Sequence, residues 1–155
     1  MVFKNLAEYQ FWANQRIRNV ILSMKLTDYE RDVAGRAISG ISAHIVAALA
    51  TCFKVLEKSS DDSIYDQIFS ADRTELLLKW RDLDEKLSRI LQQIPQGKIS
   101  VSHVSDEPVS MDIMDFLLQY VLHTNHHRGQ LGIILRELGY DVPGTDYLHF
   151  FAEKS

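Results

Sequence analysis

Three of the six histidines in this chain lie within five positions, in the stretch LHTNHHRGQLG at 122–132. On an α-helix, residues four apart differ by about 40° around the axis, so His123 and His127 share one face. Two imidazoles in that arrangement can reach one divalent ion at about 2.0–2.1 Å, which makes the pair a familiar chelate. His126 is rotated by about 60–100° from the other two, and we interpret it as a bystander or a group that supports the ligands.

Two ligands seldom suffice for a metal ion, and the natural third candidate is His44. It lies in the middle of an apolar helical segment beside the small residues Ala47 and Ala48. His103, in a predicted hairpin, and His149, in the tail, are less well placed to face an interior. The residues alone leave two readings open, a metal site and a hydrogen-bonded structural cluster, because buried imidazoles are costly unless something satisfies their nitrogens.

Two further residues share the histidine face of the helix and could take part in chemistry. Gln130 could orient a ligand or a water beside His127. Tyr120 could donate a proton, although simple packing explains it as well.

Arg128 points away from this face, which indicates a structural or an interface role. Cys52 is the single cysteine, cannot form an internal disulfide and is interpreted as a small core thiol.

Long segments with helical periodicity must position these residues, because prolines occur only at 95, 108 and 143. The pattern predicts four helices: one ending near Met24, one from about Ser39 to Lys58, one from a cap at Asp72 to about Gln93, and one from a cap at Ser110 to Leu138 with Gly139 just beyond. The spacing of Thr27 and Glu30 predicts a capping box and a short turn after the first helix.

The alternating stretch KISVSHV, followed by SDEP, predicts a small hairpin before the last helix. We therefore predict an all-α protein, an antiparallel four-helix bundle with a possible short hairpin before the last helix, in one domain over residues 1–155. The polar side of the first helix, which includes Arg18, and the segment DLDEK at 82–86 are interpreted as solvated faces.

The last predicted helix is apolar almost all round, since Leu117 and Val121 face away from the histidines. Such a helix is either central in the bundle or packed against a partner. We expect a homodimer.

Composition excludes several classes of protein. The formal net charge of -4 and the pI of about 5.8 argue against a dedicated nucleic-acid binder. No run approaches the roughly 18–20 uninterrupted apolar residues of a membrane span. The N-terminal stretch has no signal-peptide core, and a single cysteine requires no oxidising compartment, so a cytoplasmic location is expected.

The stretch HTNHHRGQLGIILRELGYDVPGTDYL resembles the C-terminal signature of the DinB/YfiT-like superfamily of small four-helix-bundle metalloproteins. The matching residues are His123, His127, Arg128, Gly129, Gln130, Arg136, Leu138, Gly139, Pro143 and Asp146. YQFWANQRI resembles the opening helix of the family, and His44 matches its second-helix histidine, so the resemblance spans nearly the whole chain. Many members carry a further histidine one turn before the pair, where this chain has Gln119.

The resemblance implies that His44, His123 and His127 form a three-histidine site for a divalent metal ion, usually nickel or zinc. Relatives include thiol-dependent S-transferases and a thiol-dependent maleylpyruvate isomerase, whereas others are known only as metal-binding proteins. It therefore implies either a metal-dependent transfer of an external low-molecular-weight thiol to a small electrophile, or a non-catalytic, stress-associated metal-binding bundle. A homodimer also fits the family, whose name implies no DNA binding. A metal-free structural bundle is the weakest alternative.

Overall fold

The computed structural model describes residues 2–102 and 106–154. Its long helices are α1 (Val2–Ser23), α3 (Ile38–Glu57), α5 (Arg73–Gln92) and α6 (Ile113–Glu137). The shorter elements are α2 (Leu26–Tyr29), α4 (Ser63–Phe69), β1 (Lys98–Val101), β2 (Val109–Asp112) and α7 (Tyr147–Lys154).

The four long helices form a ring in which α1 packs against α5, α5 against α3, α3 against α6, and α6 against α1. Two pairs of long helices that follow one another in the chain, α1 with α3 and α5 with α6, therefore lie diagonally across the bundle. The predicted all-α bundle is confirmed, and this spatial order places α3 beside α6, the two helices that carry the histidines.

Local capping signals account for the ends of two helices. At the start of α5, Glu75 N donates to Asp72 Oδ1 at 2.9 Å and Asp72 N donates to Glu75 Oε2 at 3.2 Å, so the predicted cap at Asp72 is present and forms a capping box with Glu75. After α6, Gly139 has a φ of +83°, the left-handed conformation that favours glycine just beyond a helix. Both signals lie within a few residues of sequence, which is why the sequence identifies them.

The predicted hairpin is present, with β1 antiparallel to β2 and Lys98 opposite Asp112. The prediction that Ser110 caps the last helix is wrong. Ser110 pairs with Ser100 in the sheet, and α6 begins at Ile113 after Asp112. Strand pairing takes up residues that the helical pattern had assigned to the first turn of α6. His103 lies outside the described residues.

Three further local differences concern short elements. The predicted Thr27 cap is wrong, because α2 begins after Lys25 and has no side-chain cap. Helix α4 follows the predicted SSDDS loop, and α7 occupies the predicted tail, where Phe150 is buried against α1. Helices this short depend on packing rather than on intrinsic propensity, so periodicity gives little signal for them.

Burial in the interior explains the apolar character of α6 and α3. Leu117 and Val121 are buried within the chain, so α6 is central in the bundle and its all-round apolar character needs no partner. Helix α3 is the one helix in the described part of the chain that is long and apolar enough to cross a membrane. Half of that stretch is buried among the other helices, as in the core helix of a bundle.

A buried polar network between α1, α5 and α6 corrects the prediction of solvated faces at two residues, Arg18 and Asp84. Arg18 and Asp84 are 5% and 1% exposed and form an ion pair. Asn14 Nδ2 donates to both Asp84 carboxylate oxygens, at 2.9 and 3.0 Å, and Arg128 donates to Asn14 Oδ1 at 2.7 Å. Burial raises the pKa of Asp84 to about 6, against the lowering effects of Arg18 and Asn14. The sequence pattern of a single helix does not predict this network, because each charged side chain is buried against a partner on another helix.

Candidate metal centre

Packing of α3 against α6 brings His44 to His123 and His127. One nitrogen from each of the three rings lies within 4.8 Å of the others, an arrangement that could hold a metal ion. The ring centroids of His123 and His127 are 4.4 Å apart, and that of His44 lies 5.1 and 4.6 Å from them. Metal–imidazole bonds are about 2.0–2.1 Å long, so an ion bound here would draw the most distant of these nitrogens closer together.

The environment keeps the imidazoles of His123 and His127 neutral. Burial, followed by the neighbouring rings of His127 and His44, lowers the pKa of His123 to about 4. The pKa of His127 is also lowered, mainly by burial, and Arg36 is among the charges that contribute. Only a neutral imidazole offers the lone pair that a metal needs, so at neutral pH these rings are in the ligating form.

An unsatisfied buried nitrogen is the clearest sign that the cluster fits a cation. His123 Nε2 is buried and has no hydrogen-bond partner among the described residues. Buried polar atoms are costly unless they are paired. A metal ion at the centre of the cluster would satisfy this nitrogen, whereas the hydrogen-bonded structural cluster considered from the sequence leaves it unexplained.

Gln130 fixes the orientation of His127. His127 Nδ1 lies 2.7 Å from Gln130 Oε1, which can only accept, so Nδ1 carries the proton and Nε2 is free. Gln130 Nε2 in turn donates to His126 Nε2 at 3.0 Å. His126 therefore lies outside the cluster and supports His127 through Gln130. Such contacts set the tautomer and the direction of a ligand.

A cavity of about 570 Å³, the apolar cavity, opens beside His123 between α3, α6 and the hairpin. Its apolar walls include Ala48, Val101, Met111, Phe116 and Tyr120, and its polar residues are Thr51, Asp115 and Gln119. Burial raises the pKa of Tyr120, so its hydroxyl stays protonated and could donate a hydrogen bond but not act as a base. Gln119 contributes to the cavity wall.

A second cavity of about 440 Å³, the polar cavity, lies on the other side of the cluster. It is lined by Gly35, Arg36, Ala37, Gly40, Ile41, His44, His126, His127 and Gln130. It shares no lining residue with the apolar cavity. The histidine cluster is thus reached from two sides, a property that the sequence did not reveal because residues 35–37 belong to a turn without periodicity.

Other candidate residues have structural roles. Cys52 is fully buried, and burial raises the pKa of its thiol to about 12, in agreement with the interpretation as a core thiol. Arg128 is buried within the chain, where it also donates to Tyr9 OH and Asn125 Oδ1 at 2.7 Å, so its role is structural. His149 lies on α7 beside Gly144 and is not part of the cluster.

Sequence comparisons connect this arrangement with known proteins. The DinB family model matches residues 1–154. Protein DinB of Bacillus subtilis (strain 168) is 26% identical over a 162-residue alignment that covers 97% of this chain and 94% of the relative. Uncharacterized protein YrdA of the same organism is 34% identical over 82 residues, which cover 52% of this chain and 39% of that protein.

Proposed function

The chain belongs to the DinB family, and from that premise we propose that it uses His44, His123 and His127 to hold a divalent metal ion, nickel or zinc, for catalysis. The reaction is transfer of an external low-molecular-weight thiol to a small electrophile. The observation that carries the proposal is the three-histidine cluster with its buried His123 Nε2, which has no hydrogen-bond partner among the described residues. Imidazole ligands suit both metals, whose selection depends on geometry and availability.

The ligand set favours catalysis over a purely structural role. Structural zinc sites usually have four protein ligands, whereas three leave a position open. When bound, a divalent ion supplies a positive charge at which a thiol loses its proton more readily. In the transfer, the sulfur loses its proton to water and forms a bond to the electrophilic carbon, and the leaving group departs with the electron pair of its bond.

The chain's own residues prepare this site in three ways. Gln130 holds the His127 ring in one tautomer, as required of a ligand. Tyr120 presents a protonated hydroxyl as a hydrogen-bond donor at the wall of the apolar cavity, and Phe116 beside it limits water. Cys52 is buried with a raised pKa and cannot supply the thiolate, so the thiol must come from outside the chain.

Metal analysis and a conjugation assay test the proposal. Purified protein loaded with nickel or zinc should hold one ion per chain and conjugate small thiols to electrophiles. His123→Ala should lose both properties, whereas His149→Ala, which removes a histidine outside the cluster, should keep both. Circular dichroism shows whether each variant is folded.

The outcomes separate the alternatives. Stoichiometric metal without turnover would support the non-catalytic metal-binding bundle instead. A folded wild-type protein that holds no divalent ion would refute both the enzyme and the metal-binding protein.

We also propose that the chain forms a homodimer in the cytoplasm. Leu122 and Ile133 are 57% and 58% exposed on α6, and residues eleven apart lie within about 20° of each other around a helix. This exposed face of α6 is the one that a second copy of the chain would cover. A monomer mass by light scattering at micromolar concentration would refute the dimer.

A further inference from the structure

The two cavities that meet at the histidine cluster differ in charge. The charged residue lining the apolar cavity is Asp115, whereas the charged residue lining the polar cavity is Arg36. Among the described residues, none that lines the polar cavity is acidic. An anion is therefore attracted to the polar cavity and repelled at the mouth of the apolar one, in a chain whose net charge is -4.

The backbone that carries Arg36 is held in a tight turn. Val33 N donates to Arg36 O at 2.8 Å and Arg36 N donates to Val33 O at 3.2 Å. Gly35 N donates to Asp32 Oδ1 at 2.8 Å, and Gly35 has a φ of +82°, which favours glycine. The turn ends directly before α3, so it places Arg36 near the helix that carries His44.

The guanidinium of Arg36 is available to a ligand. Its side chain is exposed, and it makes no ion pair within residues 2–102 and 106–154. A guanidinium presents N–H groups in a planar fork that matches a carboxylate with two parallel hydrogen bonds. The polar cavity thus combines an unpaired cation with one side of a cluster that could hold a metal ion.

We infer that the polar cavity binds the thiol substrate through a carboxylate, with Arg36 as the residue that recognises the carboxylate and the histidine cluster at the position of the sulfur. This inference rests on the proposed function and deepens it, because it states the class of thiol: an aliphatic thiol that carries a carboxylate. The volume of about 440 Å³ is in the range of small-molecule sites.

Two glycines keep the polar cavity open. A Cβ added at Gly35 or at Gly40 would meet nothing within 4 Å. Gly40 lies inside α3, where its backbone conformation accepts any residue, so a larger side chain there would project into free space. Gly40→Leu therefore offers a way to fill the cavity without removing a histidine or a charge.

The test measures thiol binding rather than turnover. Protein loaded with cobalt(II) in place of the native ion is titrated with 3-mercaptopropionate and with 3-mercapto-1-propanol, which differ in the carboxylate. Binding is followed by the sulfur-to-cobalt charge-transfer absorption. Wild type should bind the carboxylate thiol about 3- to 10-fold more tightly, as expected for one partly exposed charge pair, and high salt should reduce the difference.

Three variants locate the effect. Arg36→Gln should abolish the preference for the carboxylate thiol and leave binding of the alcohol thiol unchanged. Arg31→Gln removes a neighbouring exposed arginine that does not line the cavity, and it should keep the preference. Gly40→Leu should weaken both thiols. Cobalt content, measured in every variant, shows that the histidine cluster is intact.

Failure of this inference is distinguishable from failure of the proposed function. If wild type binds both thiols equally, or if Arg36→Gln keeps the preference, the assignment of the carboxylate to Arg36 is wrong while thiol transfer stands. If no thiol binds to cobalt-loaded wild type, both are refuted. If the carboxylate thiol binds selectively but no electrophile is ever conjugated, the binding site stands and the transferase function falls.

Discussion

Replacing the buried Arg128 by methionine should destabilise the protein far more than replacing an exposed arginine. Arg128 is 2% exposed and donates at 2.7 Å to Asn14 Oδ1 and to Tyr9 OH. A hydrogen bond to a charged group contributes about 1.5–3 kcal/mol, so loss of these two removes roughly 3–6 kcal/mol. A third bond, to the exposed Asn125, adds little.

Part of this loss is offset, because the folded protein no longer buries a guanidinium. Burial lowers the pKa of Arg128, which shows that its desolvation has a cost. Methionine fills much of the vacated volume, so we expect a net loss of about 2–4 kcal/mol in the free energy of unfolding. For a chain of this size that corresponds to a fall of roughly 5–12 °C in melting temperature.

Urea unfolding followed by circular dichroism measures this loss, and Arg136→Met is the matched control. Arg136 lies on the same helix but is exposed, and its contact with Gly132 O is 3.4 Å long. The control should change stability by less than about 0.5 kcal/mol. Arg128→Lys, which keeps the charge but cannot bridge Asn14 and Tyr9, should be intermediate. Equal stabilities for Arg128→Met and Arg136→Met would refute the reasoning.

Further predictions concern pH, thiol reactivity and two glycines. The pKa of Asp84 is raised from 3.8 to about 6. Between about pH 4 and 6 the folded chain therefore keeps a proton that the unfolded chain releases. The contribution of this carboxyl to the free energy of unfolding falls as pH rises through that window. Asp84→Asn should remove that component, so its stability relative to wild type should increase from pH 4 to 6; a constant difference would contradict this. Iodoacetamide at pH 8 should modify Cys52 rapidly in urea but not in the native protein, because Cys52 is buried and burial raises the pKa of its thiol to about 12. Fast labelling of the native protein would contradict this prediction. Gly139→Ala should destabilise by about 1 kcal/mol because φ is +83°, whereas Gly129→Ala, inside α6 with free space around it, should stabilise by up to about 1 kcal/mol. Melting-temperature shifts of the same sign in both variants would contradict this pair.

Several features were predictable because they depend on residues close together in sequence. The capping box of Asp72 and Glu75 and the left-handed Gly139 are of this kind. The start of α6 was not predictable, because Ser110 could continue the helix or pair with a strand. The structure resolves that choice through β1, which contributes the partner Ser100. A competing interaction with another segment overrode a local helix signal.

The buried network shows the same limit for charged residues. Arg18 and Asp84 each lie on a helix whose pattern allows a solvated face, and each is buried because α1 packs along α5. Neither charge could be buried without the other and Asn14. Burial of these charges therefore depends on the contact between the two helices, and the sequence periodicity of one helix does not reveal that contact.

The sequence by itself determined that His123 and His127 share a helix face and that His126 does not, since the turn of an α-helix is fixed by its own backbone. It also proposed His44 as a third partner. Only the tertiary structure decided that α3 lies beside α6 with His44 at the level of the pair, and that a turn carrying Arg36 closes one side while the hairpin borders the other. Those contacts depend on how segments far apart in the chain pack, and the pattern within one helix does not specify the height or rotation of its neighbour.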